Sequence, residues 1–400
     1  MNVTKSQCPY CGVGCGLKMR PKNSVSDDKW LVSGDRDTPS TLGKLCVKGA
    51  TVCETLKTGR LKEPLYRKNL NEEFKKISWD ESYKILKENI LSSIKNHGPD
   101  SIAMYGSGQF HTEDYYIAQK LLKGAIGTNN FDANSRLCMS SAVAGYNRSF
   151  GSDGPPCCYE DIDHCSSIFL IGTNTAECHP VLFDRIKKRK RNVNDNLKVI
   201  VIDPRETETA SIADFYLQIA SGTDLFLFIG IANYLYKNKL TEQNFIEKST
   251  ENYDHFVKHI QTWDLKKISE ICNISKQAII DIAKLWGESK NVLSLWSMGL
   301  NQRQEGTATV NGLINLHLMT GQLGKAGAGP FSLTGQPNAM GGREAGGLSH
   351  LLPGYRFVKN KIDRNEIEKI WGFPIGKISE KQGLSAWEQI EAINLSLIHI

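Results

Sequence analysis

Three cysteines fall within eight residues near the start of the chain, in Cys8-Pro-Tyr-Cys11-Gly-Val-Gly-Cys15. A fourth follows in Gly43-Lys-Leu-Cys46-Val-Lys48-Gly49. Three close thiolates with one distant closer suit the corners of a [4Fe–4S] cubane. Glycines at 12, 14 and 16 let the loop wrap tightly and free its N–H groups to point at sulfur. A structural zinc site is the alternative, although zinc more often takes two CxxC-like pairs. A cluster at this place makes residues 1–60 a module through which electrons enter or leave.

The remaining chain is too long for one core, so two or three domains are expected from 400 residues. No apolar run approaches a membrane span; the densest, 225–232, is short. The N-terminus has no apolar leader and no twin arginine, so export is not expected. Eleven cysteines, an odd number, do not make a disulfide framework and fit a reducing cytoplasm. The basic block Lys187-Lys-Arg-Lys-Arg191 lacks interleaved aromatics. It is expected to be a solvated helix end rather than a nucleic-acid site, with docking of an acidic electron donor as a weaker use.

Along the chain, Ser78-Trp-Asp-Glu81 is a capping box, and apolar residues at 83, 86, 90, 91 and 94 repeat at helical spacing up to His97-Gly98-Pro99. A strand over 101–105 and a helix over 112–126 follow. Apolar strands are expected at 167–171, 197–202 and 291–296, and helices at 224–236, 275–286, 307–319 and 386–394. Such alternation implies a parallel sheet with ligands at the carboxyl ends of its strands. The glycine-dense stretch 321–347 is expected to be a binding loop without regular elements.

Cys138 stands just before a small-residue helix, where a helix start lowers a thiol's pKa and suits it to a soft metal. Buried packing is the alternative. Cys157, Cys158, Cys165 and Cys178 have no ligand spacing and are expected to pack, and Cys53 and Cys272 to lie in the core. Histidines at 111, 164, 179, 317 and 350 form no HxH or HExxH group. Gly172-Thr-Asn174 is not the GxGxxG of nicotinamide sites. The residues alone reach as far as a cluster-bearing α/β redox protein with a phosphate-rich cofactor.

Together these segments resemble the molybdopterin oxidoreductase family, and within it the cytoplasmic, assimilatory nitrate reductases, from Cys8 to about residue 355. The resemblance implies a [4Fe–4S] cluster on Cys8, Cys11, Cys15 and Cys46, with Lys48 between cluster and pterin. It makes Cys138 the molybdenum ligand, in a segment similar to Asn-Ala-Arg-His-Cys-Met-Ala-Ser-Ala. Leu137 stands where many relatives have His. The loop Ile171-Gly172-Thr173-Asn174-Thr-Ala-Glu177-Cys178 is similar to one that binds a pterin guanine dinucleotide. Gln109, Asn134, the turn with Asp203 and Arg205, and the turn with Thr223 and Asp224 match further cofactor contacts. Met298 and Gln302 match contacts near the metal. Two such dinucleotides carry four phosphates, which need glycine turns and strand-end amides.

The implied fold is multidomain α/β. It comprises a cluster module (1–60), an α/β pterin-binding domain (61–133 with 299–400) and a Rossmann-like dinucleotide domain (134–298). The implied activity is reduction of nitrate to nitrite by oxygen-atom abstraction at a molybdenum bis(molybdopterin guanine dinucleotide). Electrons would come from a ferredoxin, a flavodoxin or an NADH-linked subunit. Arg343 is the expected nitrate holder, since a planar guanidinium matches a planar oxyanion; a salt bridge to an acid such as Glu344 is the alternative. Met139 joins Cys138, Lys48 and Arg343 in the expected catalytic set. Formate dehydrogenases, the nearest rival, carry a His at that place, and an inactive electron-transfer subunit is a further alternative. The tail 395–400 resembles translated adaptor sequence. A truncated frame lacking the family's C-terminal β-barrel-like domain is therefore expected, too short to hold both pterins stably.

Overall fold

The first three cysteines sit in a hairpin. In this computed structural model, which describes residues 3–22, 30–56, 59–192 and 194–395, Thr4–Gln7 runs antiparallel to Gly16–Pro21. Trp30–Gly34 completes a three-stranded sheet. Cys8 to Cys15 is the hairpin connection, closed where the Cys8 N–H donates to the Cys15 carbonyl at 2.8 Å. The first strand carries no apolar alternation and is exposed throughout, so nothing in its residues announces it.

The expected parallel sheet is present. Its five strands lie in the order Phe215–Leu217, Lys198–Ile202, Ser167–Ile171, Val292–Trp296, Gly329–Ser332, and every neighbouring pair is parallel. Successive side chains point to opposite faces. Phe169, Ile171, Ile200 and Ile202 enter one core with the helices Asp224–Lys237, Lys276–Glu288 and Gly306–Met319. Ile168, Leu170, Val199 and Val201 enter the other core, with the helix Pro180–Arg191. Burial on both faces explains why these strands are continuous apolar runs rather than alternating ones.

That second core also takes in Cys8, Val13, Cys15 and Leu17. The cluster hairpin is thus packed on the sheet. Its Gly12 N–H donates to the Gly335 carbonyl at 3.0 Å, and a Cβ on Gly12 would lie 2.0 Å from the Thr334 carbonyl oxygen.

The glycine-dense stretch holds more regular structure than expected. Gly329–Ser332 is the sheet's edge strand and Ala339–Glu344 a short helix. Pro330 is tolerated because an edge strand pairs on one side only. The sheet therefore takes in chain beyond residue 298, including strand Gly329–Ser332.

Ser78 caps the helix Trp79–His97 as expected, its Oγ accepting from the Glu81 N–H at 3.1 Å. Met104–Gly106 pairs in parallel with Phe131–Ala133. The expected helix over 112–126 is α-helical only through Thr112–Gln119 and continues as a π-helical segment, Lys120–Ile126. There Lys123 is completely buried, its Nζ donating to the carbonyls of Gly346, Leu348 and Leu351.

The basic block ends the helix Pro180–Arg191. Arg189 pairs with Asp195 and Lys190 with Asp214, while Lys188 and Arg191 are exposed. Cys53, Cys165 and Cys272 are buried as expected. Cys158 and Cys178 are exposed, which overturns the packing expectation for those two. Among the described residues no helix is long and apolar enough to cross a membrane. The tail from 396 onward lies outside the described residues.

Candidate functional site

The hairpin gathers its three cysteines with Cys46, which caps the short helix Val47–Ala50. Burial comes first among the causes that push Cys15 up to about 12, and the Cys8, Cys11 and Cys46 sulfurs add to it. Cys8 and Cys11 are raised for the same reasons. Four thiolates so close repel one another unless a cationic centre sits among them, which fits the expected cluster. Among the described residues no three Cys, His, Asp or Glu side chains are set to share one metal ion. Lys48 is exposed on the helix Val47–Ala50 and its charge lowers the Cys11 pKa.

Cys138 lies 5% exposed at the end of the helix Ser135–Cys138. Burial pushes its thiol up, against opposing hydrogen bonds from the Gly335 backbone and the Gln336 side chain. The helix Ser140–Phe150 does begin just after Cys138 as expected, but the expected lowered pKa fails because burial outweighs it. Two donors aimed at a buried sulfur still suit a thiolate held by a metal. The ligand segment is clamped from the sheet side. Asn301 Nδ2 donates to the Cys138 carbonyl and Gln302 Nε2 to the Leu137 carbonyl, both at 2.9 Å.

Cys138 and Met139 line a cavity of about 550 Å³ that also reaches Gly12, His179, Arg343 and His350. It therefore runs from the cluster hairpin to the expected nitrate holder. Arg343 pairs with Asp153 at 2.5 Å, not with Glu344, because the buried Asp153 carboxylate faces the same cavity. Burial raises the Asp153 pKa, and the Arg343 guanidinium pulls it back down. Arg343 Nε, His179 Nδ1 and Gln336 Oε1 are buried without hydrogen-bond partners. Unpartnered polar atoms around a cavity of this size fit a bound heterocycle with its own donors and acceptors.

The other expected contacts divide into two groups. Asn134 Oδ1 accepts from the Gly108 N–H at 2.6 Å, and Gln109 Nε2 donates to the Pro9 carbonyl at 3.3 Å. These two tie the loop after Met104–Gly106 to the Cys138 segment and to the cluster hairpin. Gly172, Thr173, Asn174, Glu177, Asp203, Arg205, Thr223, Asp224 and Met298 follow the carboxyl ends of the sheet strands or the turns beside them. The chain order reverses between Ser167–Ile171 and Val292–Trp296, the switch point where such sheets bind ligands. There Gly172, at φ +54, accepts from the Gly299 N–H at 3.0 Å. Asn174 Oδ1 accepts from Thr209 Oγ1, the Asp203 carboxylate accepts from the Arg205 N–H, and Asp224 pairs with Arg303 at 2.8 Å.

Sequence reasoning missed Asn301, Asp153, Arg303 and the orphaned ring of His179. The only signal for His179 was its place, directly after the strand-end loop and before the helix-starting Pro180. Asp153 lies in an irregular segment with no spacing to mark it.

A family model described as Molybdopterin oxidoreductase matches residues 60–396, and one described as Molybdopterin oxidoreductase Fe4S4 domain matches residues 1–57. The nitrate reductase of Synechocystis sp. is 52% identical over 96% of this chain and 54% of that protein. The periplasmic nitrate reductase of Desulfovibrio desulfuricans is 41% identical over 97% of this chain and 52% of that protein. The chain thus spans about half the length of these relatives. Acetylene hydratase from Pelobacter acetylenicus shares the fold with a TM-score of 0.71, at 20% identity, over 81% of this chain and 44% of that one. Because the two family models together take in nearly the whole sequence, the chain belongs to the molybdopterin oxidoreductase family, with an Fe4S4 domain at its N-terminal end.

Proposed function

We propose that the whole protein reduces nitrate to nitrite, consuming two electrons and two protons and releasing water. The observation that carries this is the juxtaposition of the buried Cys138 thiol and the Arg343 guanidinium on one cavity that reaches the cluster hairpin. Relatives named nitrate reductases support it. The bound molybdenum–pterin group supplies oxygen-atom abstraction, a chemistry that no side chain here provides.

The side chains do the rest. Cys138 holds the metal, its sulfur braced by Gly335 and Gln336. Arg343, with its Nε free, turns a planar fork toward the planar anion and balances its charge. Met139 shields the site from water. Cys8, Cys11, Cys15 and Cys46 hold the cluster, and Lys48 lies on the electron path inward.

The cofactor's finer form is a bis(guanine dinucleotide). The strand-end residues Gly172–Asn174, Glu177, Asp203, Arg205, Thr223 and Asp224 cradle a nucleotide tail, while Gln109, Asn134, Met298 and Gln302 surround the pterins. The cluster module 1–60 and the α/β chain after it frame it, with the dinucleotide unit extended past 298 to take in Gly306–Met319 and Gly329–Ser332. The protein works in cytoplasmic nitrate assimilation and takes electrons from a ferredoxin, a flavodoxin or an NADH-linked subunit. Cell fractionation checks the compartment, since one relative is named a periplasmic enzyme.

Cys138→Ala in the whole protein should abolish nitrate reduction by reduced viologen while the cluster's visible absorption stays. Full activity in that variant would refute the assignment of Cys138 as the metal ligand.

A further inference from the structure

His179 is 1% exposed and lines the cavity beside Cys138. One ring nitrogen, Nε2, lies 2.9 Å from the Thr334 carbonyl oxygen. A carbonyl can only accept, so Nε2 carries the hydrogen and donates it. Burial lowers the ring's pKa, which keeps it neutral. In a neutral imidazole the other nitrogen is then a bare acceptor. That nitrogen, Nδ1, is buried and accepts nothing from the protein.

A buried, unpaired acceptor is costly, and few persist without a function or a ligand. The backbone that carries the ring is held on both sides. His179 N–H is bonded to the Thr175 carbonyl, and Pro180 opens the next helix directly behind it. The Thr334 carbonyl holds the far edge of the ring, in the same loop whose Gly335 meets both the Cys138 sulfur and the Gly12 N–H. Beside the Cys138 sulfur, Gln336 Oε1 is also buried without a hydrogen-bond partner. His179, a residue of the cavity wall, thus carries a lone pair that a ligand rich in N–H groups can satisfy.

We propose that His179 is a further cofactor-binding residue, whose Nδ1 accepts a hydrogen bond from a ring or amino N–H of the pterin in the Cys138 cavity. The assignment rests on the molybdenum–pterin reading given above. His179 fixes the pterin's orientation and hydrogen-bonds its nitrogen edge, and it takes no part in proton transfer to nitrate.

Two substitutions separate this role from a merely structural one. His179→Gln keeps a donor near Nε2 for Thr334 but removes the Nδ1 acceptor. His179→Asn keeps an acceptor near Nδ1 but gives up the bond to Thr334. Both are made in the whole protein purified with its cofactors. Pterin per chain is followed during dilution by fluorescence of the oxidised pterin, and the Mo(V) resonance by electron paramagnetic resonance. His179→Gln should lose pterin about tenfold faster, the effect of one buried hydrogen bond, and shift the Mo(V) signal. His179→Asn should stay close to the unmodified protein.

Unchanged pterin retention in His179→Gln overturns the proposal, and so does loss in His179→Asn equal to or greater than that in His179→Gln. If the unmodified protein carries neither molybdenum nor pterin, the cofactor reading itself has failed, which is a different result.

Discussion

Asn301, 1% exposed at the end of the helix Met298–Asn301, donates its side-chain amide to the carbonyl of Cys138 at 2.9 Å. The candidate metal ligand is thereby tied to the switch point of the sheet. Asn301→Leu keeps the branched shape, in a somewhat larger side chain, and removes the donor, leaving a buried carbonyl unpaired. A loss of about 1–3 kcal/mol in urea unfolding is expected. Molybdenum content of the whole protein should fall with it, as elemental analysis will report.

Gly299 and Gly172 leave no room for a side chain. A Cβ on Gly299 would stand 2.6 Å from the Gly172 carbonyl oxygen, against rigid backbone that has no easy way to yield. Gly299→Ala should cost about 1–3 kcal/mol through overpacking. Gly172→Ala should cost at least as much, because φ is +54 there as well. Chemical denaturation of either variant with an unchanged midpoint would refute the close approach.

Lys123 gives a pH signature. Burial takes it down to about 7, opposed by Asp132 and reinforced by Arg136. A folded pKa below the unfolded 10.5 means that the unfolded chain binds more protons between those values. Stability should therefore rise with pH across that window. Lys123→Met removes the rise, so the unfolding free energy of the unmodified chain should gain on the variant's from pH 7 to 10. A constant difference would mean that Lys123 stays charged on its three carbonyls.

Arg343→Lys keeps a positive charge beside Asp153 and gives up the planar fork. The KM for nitrate in a viologen assay should rise about tenfold or more, the effect of one charge-assisted hydrogen bond. An unchanged KM would leave Arg343 only its ion pair with Asp153.

Much of the scaffold could be read from the residues because local and global signals agree there. Ser78 caps its helix, and the apolar runs at 167–171 and 198–202 are strands buried on both faces. The cysteine spacing gave the cluster module its place, and the family model at residues 1–57 agrees. What escaped was decided by long-range packing. The exposed strand Thr4–Gln7 exists only because Gly16–Pro21 lies beside it. Gly329–Ser332 is a strand despite its glycine and proline because Val292–Trp296 supplies a partner. Arg343 meets Asp153, almost two hundred positions away, rather than its neighbour Glu344. The Cys138 pKa turns on burial, which spacing does not reveal.

The shared core of the hairpin and the sheet orders events during synthesis. Cys8, Val13, Cys15 and Leu17 leave the ribosome well before their packing partners Ile168, Leu170, Leu293 and Leu295. Until those strands arrive, the cysteine loop can pack only on near neighbours such as Val32 and Leu45. A finished loop around the four cysteines must therefore wait for chain translated long after them.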